Sequence, residues 1–184
     1  APTQSGPDND IEDAYRLHRR FDRIGRLIGD PAMETLLQSS VMVIGLGGVG
    51  SHTAEALVRS GVGEIHLVDF DKVCITNTNR QLQAMKGAIG KFKSEILAER
   101  LQRINPQAKV ICHTTFYNEK ESDSLLDIQP DYVVDAIDNV TAKCHLLATC
   151  KKRDIPVICS TGASGRLDPT QIKTADLSET RVDP

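Results

Sequence analysis

The sequence predicts an α/β protein with a doubly wound, mainly parallel sheet, helices on both of its faces and further helices at its N-terminal end. Apolar, β-branched runs alternate with helical stretches from about residue 41 to residue 161. Those runs are nearly continuous in apolar residues, the pattern of strands buried on both faces. A glycine-rich turn, Gly45-x-Gly47-x-x-Gly50, stands between the first run and the first of the alternating helices. A strand before such a turn and a helix after it are the context in which the glycines carry meaning.

The opening "APTQSGPDND" (1–10) is small, polar and proline-containing, and reads as a flexible leader. "IEDAYRLHRRFDRIGRLIG" (11–29) reads as one or two short helices. In it Arg16, Arg19, Arg20, Arg23 and Arg26 recur at steps of three and four, which sets several cations on one helix side. "DPAMETLLQSS" (30–40) begins with Asp-Pro, a favourable first turn for another helix. Strands are then expected at 41–45, 64–69, 108–114, 131–136 and 155–161, and helices at about 49–60, 91–104, 119–128 and 139–153. The end, "QIKTADLSETRVDP" (171–184), carries one more strand-like piece and no capping element. Residues 11–184 therefore read as one domain that lacks a C-terminal part.

Bulk properties exclude several classes. The chain has 184 residues, enough for one domain with a real core. The formal charge of −3 offers no global basic field for nucleic acid, although a local patch would suffice. No apolar run is long enough to span a bilayer, and no secretory signal opens the chain. The five cysteines (Cys74, Cys112, Cys144, Cys150 and Cys159) are scattered and form no Cys-x-x-Cys. Free thiols in a reducing, cytoplasmic compartment are expected, rather than zinc or disulfides.

In the glycine turn, Gly45 permits the tight bend, Gly47 lets a phosphate approach the backbone and Gly50 lets the helix pack close. The helix N-terminus offers free N–H groups to an anion. Asp69 ends the next strand, nineteen residues past Gly50, where a carboxylate takes ribose hydroxyls. "GAIGKFKS" (87–94) lacks the spacing of a Walker-type loop.

The residues after Asp69 are richer than a dinucleotide requires. Asp71, Asn77, Asn79, Arg80, Gln81, Lys91 and Lys93 follow within a short span, and a triphosphate needs such cations. Asp135, Asp138 and Asn139 close the fourth strand, on the edge that faces the same crevice. Asp138 suits a magnesium ion shared with phosphates. Singly, each has a plainer reading: Asp71 as a turn cap, the two lysines as a solvated helix start, Asn139 as an N-cap. Together, in one crevice, they point to a nucleoside triphosphate.

The blocks "RFDRIGRLIG", "VIGLGGVGS", "LVDFDKVCITNTNRQ", "GKFKSE", "INPQAKV" and "VVDAIDN" together resemble the ubiquitin-activating-type adenylyltransferases, the ThiF/MoeB/HesA superfamily, from about Arg20 onward. The resemblance implies a Rossmann-like domain that binds ATP with Mg2+ and adenylates a substrate carboxylate. Carried over by motif, Gly45, Gly47, Gly48 and Gly50 form the nucleotide turn, and Asp69 holds the ribose. Asn77, Arg80 and Lys93 hold the phosphates, and Asp71 and Asn139 are counted with the residues that bind the nucleotide. Arg80, Lys93 and Asp138 act at the phosphate–magnesium centre, with Asp138 on the metal. An N-terminal arginine, Arg23 by alignment or Arg26, reaches a partner's ATP site, which implies a homodimer.

Within the superfamily, "TNTNRQLQA", "RINP" and "TGASGRLDPTQIKTADLSET" resemble the branch of tRNA threonylcarbamoyladenosine dehydratases. That branch implies adenylation of the threonylcarbamoyl carboxylate on tRNA, then ring closure with loss of AMP and pyrophosphate. The alternative is activation of the C-terminal glycine of a ubiquitin-like sulfur carrier. Those activators carry "SNLQRQ" where this chain has "TNTNRQ", and many add Cys-x-x-Cys pairs absent here. A NAD-dependent oxidoreductase would not need the "NTNRQ" and "DAIDN" blocks. None of the five cysteines matches the position of a catalytic cysteine. For tRNA contact, the arginine stripe and Lys151–Arg153 are the available cations; a charge run is more often a solvated face.

Overall fold

Each strand but the last is followed by a helix that runs back along the sheet. The structure is a computed structural model and describes residues 19–162, 165 and 167–180. The leader and Arg16 lie outside the described residues. A short 3-10 turn, Arg19–Phe21, leads into helix α1 (Asp22–Ile28) and helix α2 (Asp30–Gln38). The expected Asp-Pro start holds, with Pro31 in the first turn of α2. Then come β1 (Ser40–Ile44), α3 (Gly48–Ser60), β2 (Glu64–Val68), α4 (Lys93–Ile104), β3 (Lys109–His113), α5 (Glu119–Leu126), β4 (Tyr132–Asp135), α6 (Val140–Lys152) and β5 (Val157–Cys159).

The five strands lie in the order β3-β2-β1-β4-β5 and all pairs are parallel. β1 is the pivot. It pairs with β2 in the register Val41↔Ile65 and with β4 in the register Val41↔Tyr132. The chain leaves it first toward β3 and later toward β5, so the crevice between β1 and β4 is the topological switch point. Alternation along β1 divides the core into two layers. Val41 and Val43 join Leu46, Ala54, Val58, Ile65, Leu67, Leu97 and Leu101 under α3 and α4. Met42 and Ile44 join Val68, Leu126, Val133, Leu146 and Cys150 under α5 and α6. The doubly wound expectation is met.

On the second face a polar ladder crosses the outer strands. Lys109 pairs with Glu64 at 2.7 Å, Glu64 accepts from His66 Nε2 at 2.8 Å, and His66 Nδ1 lies 2.9 Å from His113 Nε2. The lysine and His66 together hold the Glu64 carboxyl well below its usual range, at about 2.

Two expectations need correction. The strand-like piece near the C-terminus is no strand among the described residues. Residues 169–171 and 177–179 form 3-10 turns, because Asp168 and Asp176 accept hydrogen bonds from the Thr170 and Ser178 N–H groups. The last strand is also shorter than the span 155–161, since only residues 157–159 pair with β4. All five cysteines are free thiols, and no helix among the described residues is long and apolar enough to cross a membrane.

Candidate nucleotide site

The carboxyl ends of β1, β2 and β4 converge on the glycine turn, and each glycine there has a different reason to be glycine. Gly45 has a φ of +89°, and a Cβ on it would lie 2.6 Å from the Ala136 carbonyl oxygen. A Cβ on Gly50 would lie 1.8 Å from the Gly45 oxygen. These two weld the turn to the end of β4 and to its own helix. Gly47 is open: a Cβ there would meet only Gln81 Nε2, at 4.0 Å. Gly48 lies against the stem of Arg80, with Cγ and Cδ at 3.4 Å from the ideal Cβ position. No side chain caps α3, so its leading N–H groups stay available beside Gly47.

Asp69 is buried and uses both oxygens on backbone. It accepts from the Leu46 N–H and the Asp71 N–H, each at 2.7 Å. Burial pushes its carboxyl above the ordinary value, against the pull of those two donors. Its first task is therefore to join the glycine turn to the loop after β2; each oxygen keeps a lone pair for a further donor. Gln83 shares that task. It is 0% exposed and donates to the Leu46 carbonyl at 2.6 Å.

The long connection from β2 to α4 carries the remaining predicted cations and amides. It is held down by a small cluster of Val73, Ala84, Ala88 and Ile96. A connection of that length inside a compact domain marks a functional loop. Asn77 is buried in the turn Ile75–Asn77, where its Oδ1 accepts from the Cys74 N–H. Arg80 is exposed, and its guanidinium donates to Asn79 and to the Thr76 carbonyl. The two lysines part ways. Lys91 is exposed, whereas Lys93 opens α4 buried to 6% exposure and pairs with Asp71 at 2.8 Å. Asp71 is thus the partner of Lys93 and not a turn cap alone.

The second carboxylate group is split by the end of β4. Asp138 is exposed and makes no ion pair or side-chain hydrogen bond among the described residues. Asn139 caps α6 by accepting from the Ala142 N–H at 2.9 Å, the plainer of its two readings. Asp135 faces inward, at 0% exposure, and meets Lys143 at 2.7 Å. Lys143 was not singled out from the sequence. The available signal was its place one turn into the helix that follows the two aspartates. No group of three or more His, Cys, Asp or Glu among the described residues could hold a metal alone. A hard cation bound at Asp138 would have to share oxygens with a phosphate, which is how magnesium is usually held.

The arginine stripe is elsewhere. Phe21 and Met33 pack against Gly61, at the C-terminal end of α3. Arg23 and Arg26 on α1 therefore sit at the opposite edge of the sheet from the glycine turn, a helix of 13 residues away, or roughly 20 Å. Arg20 donates to the Ile104 carbonyl that closes α4, and Arg26 pairs with Asp22. Arg153 is taken up by Asp123 and Asp127.

A glycine-rich turn at the switch point of a parallel, doubly wound sheet defines the class. The model of the ThiF family matches residues 21–178, and the chain belongs to that family. A tRNA threonylcarbamoyladenosine dehydratase of Haemophilus influenzae is 49% identical over 166 residues, which are 90% of this chain and 64% of that protein. The protein of the same name from Escherichia coli is 42% identical over 174 residues, 95% of this chain and 64% of its own length. The crystal structure of an Escherichia coli tRNA N6-threonylcarbamoyladenosine dehydratase in complex with ATP superposes with a TM-score of 0.90, covering 95% of this chain and 71% of that one at 42% identity. The chain spans about 64% of the length of these curated relatives.

Proposed function

We propose that the protein is an ATP-dependent tRNA threonylcarbamoyladenosine dehydratase, working in the cytoplasm as a homodimer with Mg2+. The observation that carries the reading is the site itself. An open Gly47, a cation stem along Gly48 and an Asp138 without a partner among the described residues lie at the carboxyl ends of neighbouring strands, in a chain whose similar relatives carry that name.

ATP supplies the adenylyl group that turns a carboxylate oxygen into part of a good leaving group, and magnesium neutralises phosphate charge. The chain's own residues do the rest. The backbone at Gly47 and Gly48 receives phosphate on the N-terminus of α3. Asp69 offers its remaining lone pairs to the ribose. Arg80 swings its guanidinium from Asn79 onto the phosphates, a short move because its stem already lies on Gly48. Lys93, held by Asp71, contributes a fixed positive charge. Asn77 keeps the loop bearing Arg80 in place through its bond to Cys74. Asp138 would hold the cation. The site has no need of a protein nucleophile, and burial pushes the Cys150 and Cys159 thiols up to about 11. Arg23 stands too far from its own glycine turn to act there, so its action on ATP requires a second copy.

The test is pyrophosphate release from ATP. It is run with tRNA bearing threonylcarbamoyladenosine and, separately, with a ubiquitin-like sulfur carrier. Release with the tRNA alone, with loss of one water from the modified nucleoside, is expected. Release with the carrier alone would move the protein to the sulfur-carrier branch.

A further inference from the structure

Lys143 has the features of a residue that acts through others. Its ammonium has three N–H donors, and it has three acceptors: Asp135 Oδ2 at 2.7 Å, the Ser160 carbonyl at 2.9 Å and Cys159 Sγ at 3.3 Å. A lysine saturated in this way has no donor left for a phosphate. It is also only 14% exposed and faces a carboxylate with no exposure at all. Its partner's other oxygen, Asp135 Oδ1, accepts from the Ile137 N–H at 3.0 Å. The Asp135 carbonyl accepts from the Ser160 N–H at 2.8 Å, and the Ala136 N–H donates to Ile44 at 2.9 Å. The ion pair therefore clips together residues eight apart in the chain, with Asp138 and Asn139 between them. The same loop packs its Ala136 carbonyl over Gly45. Among the described residues, the loop is thus tied to β1 through Ala136, to the glycine turn through the Ala136 carbonyl, and to the end of β5 through Asp135 and Lys143.

We infer that Lys143 is a positioning residue for the adenylation step: its ion pair with Asp135 clamps the loop that presents Asp138 to the phosphates. This rests on the role proposed above for Asp138. Lys143 neither touches the nucleotide nor moves a proton. It fixes where Asp138 stands, and a misplacement of about 1 Å at a reacting centre costs roughly 10²-fold in rate.

The test uses the intact protein with three variants. Lys143→Met keeps the stem and leaves Asp135 buried without its counter-charge. The double variant Asp135→Leu with Lys143→Met removes both charges and the Ile137 acceptor, a replacement that buried ion pairs often tolerate without loss of fold. Expected for the double variant is a cooperative unfolding transition, a Kd for ATP near that of the wild type and kcat lower by about 10²-fold. Lys143→Arg, which keeps charge and donors, is expected to recover much of that rate. Wild-type kcat in the folded double variant overturns the inference. So does a loss of ATP affinity equal to the loss of kcat, which would put Lys143 on the nucleotide. Amide exchange at Ile137 and Asp138 is read in Lys143→Met, which keeps the Ile137 acceptor, and needs no substrate. Faster exchange there, with β1 unchanged, supports the clamp; unchanged protection overturns it. A wild-type protein without tRNA-dependent turnover would overturn the dehydratase reading instead, and the exchange result would still decide the clamp.

Discussion

Two glycines three residues apart, Gly47 and Gly50, should fail in opposite ways when replaced by alanine. At Gly50 the new methyl would lie 1.8 Å from the Gly45 oxygen and 3.3 Å from Ala136 Cβ, well inside the 3.0 Å that Cβ contacts essentially never breach on the first count. The turn or the helix must move by more than an ångström, against a wall of backbone. Overpacking of that kind costs about 1–3 kcal/mol or more, and the helical preference for alanine returns only about 1 kcal/mol. At Gly47 the φ is −73° and nothing lies closer than 4.0 Å, so the methyl fits. Gly47→Ala should unfold within about 1 kcal/mol of the wild type, and on the stable side if the unfolded chain loses freedom. On the site proposed above, however, its methyl takes up space that a phosphate needs. Urea unfolding with and without MgATP separates the two. At a ligand concentration of 100 Kd, ATP should stabilise wild type by about 2.7 kcal/mol. Gly47→Ala should lose that increment while keeping its own stability; Gly50→Ala should lose stability first. An ATP increment intact in Gly47→Ala, or a Gly50→Ala protein as stable as Gly47→Ala, would refute the division of labour drawn here.

Arg80→Ala should leave the urea midpoint unchanged, because the side chain is exposed, and weaken ATP binding by roughly 1.5–3 kcal/mol; calorimetric titration reads both the affinity and its salt dependence. Asp138→Ala and Arg23→Ala should each be inactive alone and regain turnover when mixed under subunit exchange, because a mixed dimer holds one site with both residues; no recovery would place Arg23 outside the site. Glu64 has a folded pKa of about 2 against an ordinary 4.5. A depressed carboxyl gives stability that is present above the unfolded pKa and lost as pH falls toward the folded one. Wild-type stability should therefore decline between pH 4.5 and 2 more steeply than that of Glu64→Gln, as followed by urea midpoints.

The fold was legible because strand and helix signals did not compete. Runs such as "VMVI" and "YVVD" are short, apolar and bounded, and α3 and α6 end within a residue or two of their expected limits. The C-terminal piece misled because Ile172 and Leu177 look strand-like, yet both are exposed here and the neighbouring aspartates offer the backbone a local turn instead. At the site, the residue types were legible and their orientation was not. Asp135 and Asp138 are alike in sequence; one lies inside the sheet edge and the other in the loop beyond it. Lys91 and Lys93 differ only in which of them starts the helix. The partners Lys143 and Gln83 act across distances in the chain that no local pattern reports.

The ladder on the outer strands has a consequence for hydrogen placement. Glu64 stays ionised and can only accept, so His66 Nε2 must carry a proton. In the neutral form of that ring, Nδ1 is the acceptor and the donor between the two imidazoles is His113 Nε2. His113 is then left with a bare Nδ1. In that form two tautomers are selected by one carboxylate, and the bare nitrogen of the pair lies at the end of β3. Nitrogen chemical shifts of the two rings would display this one-way order directly.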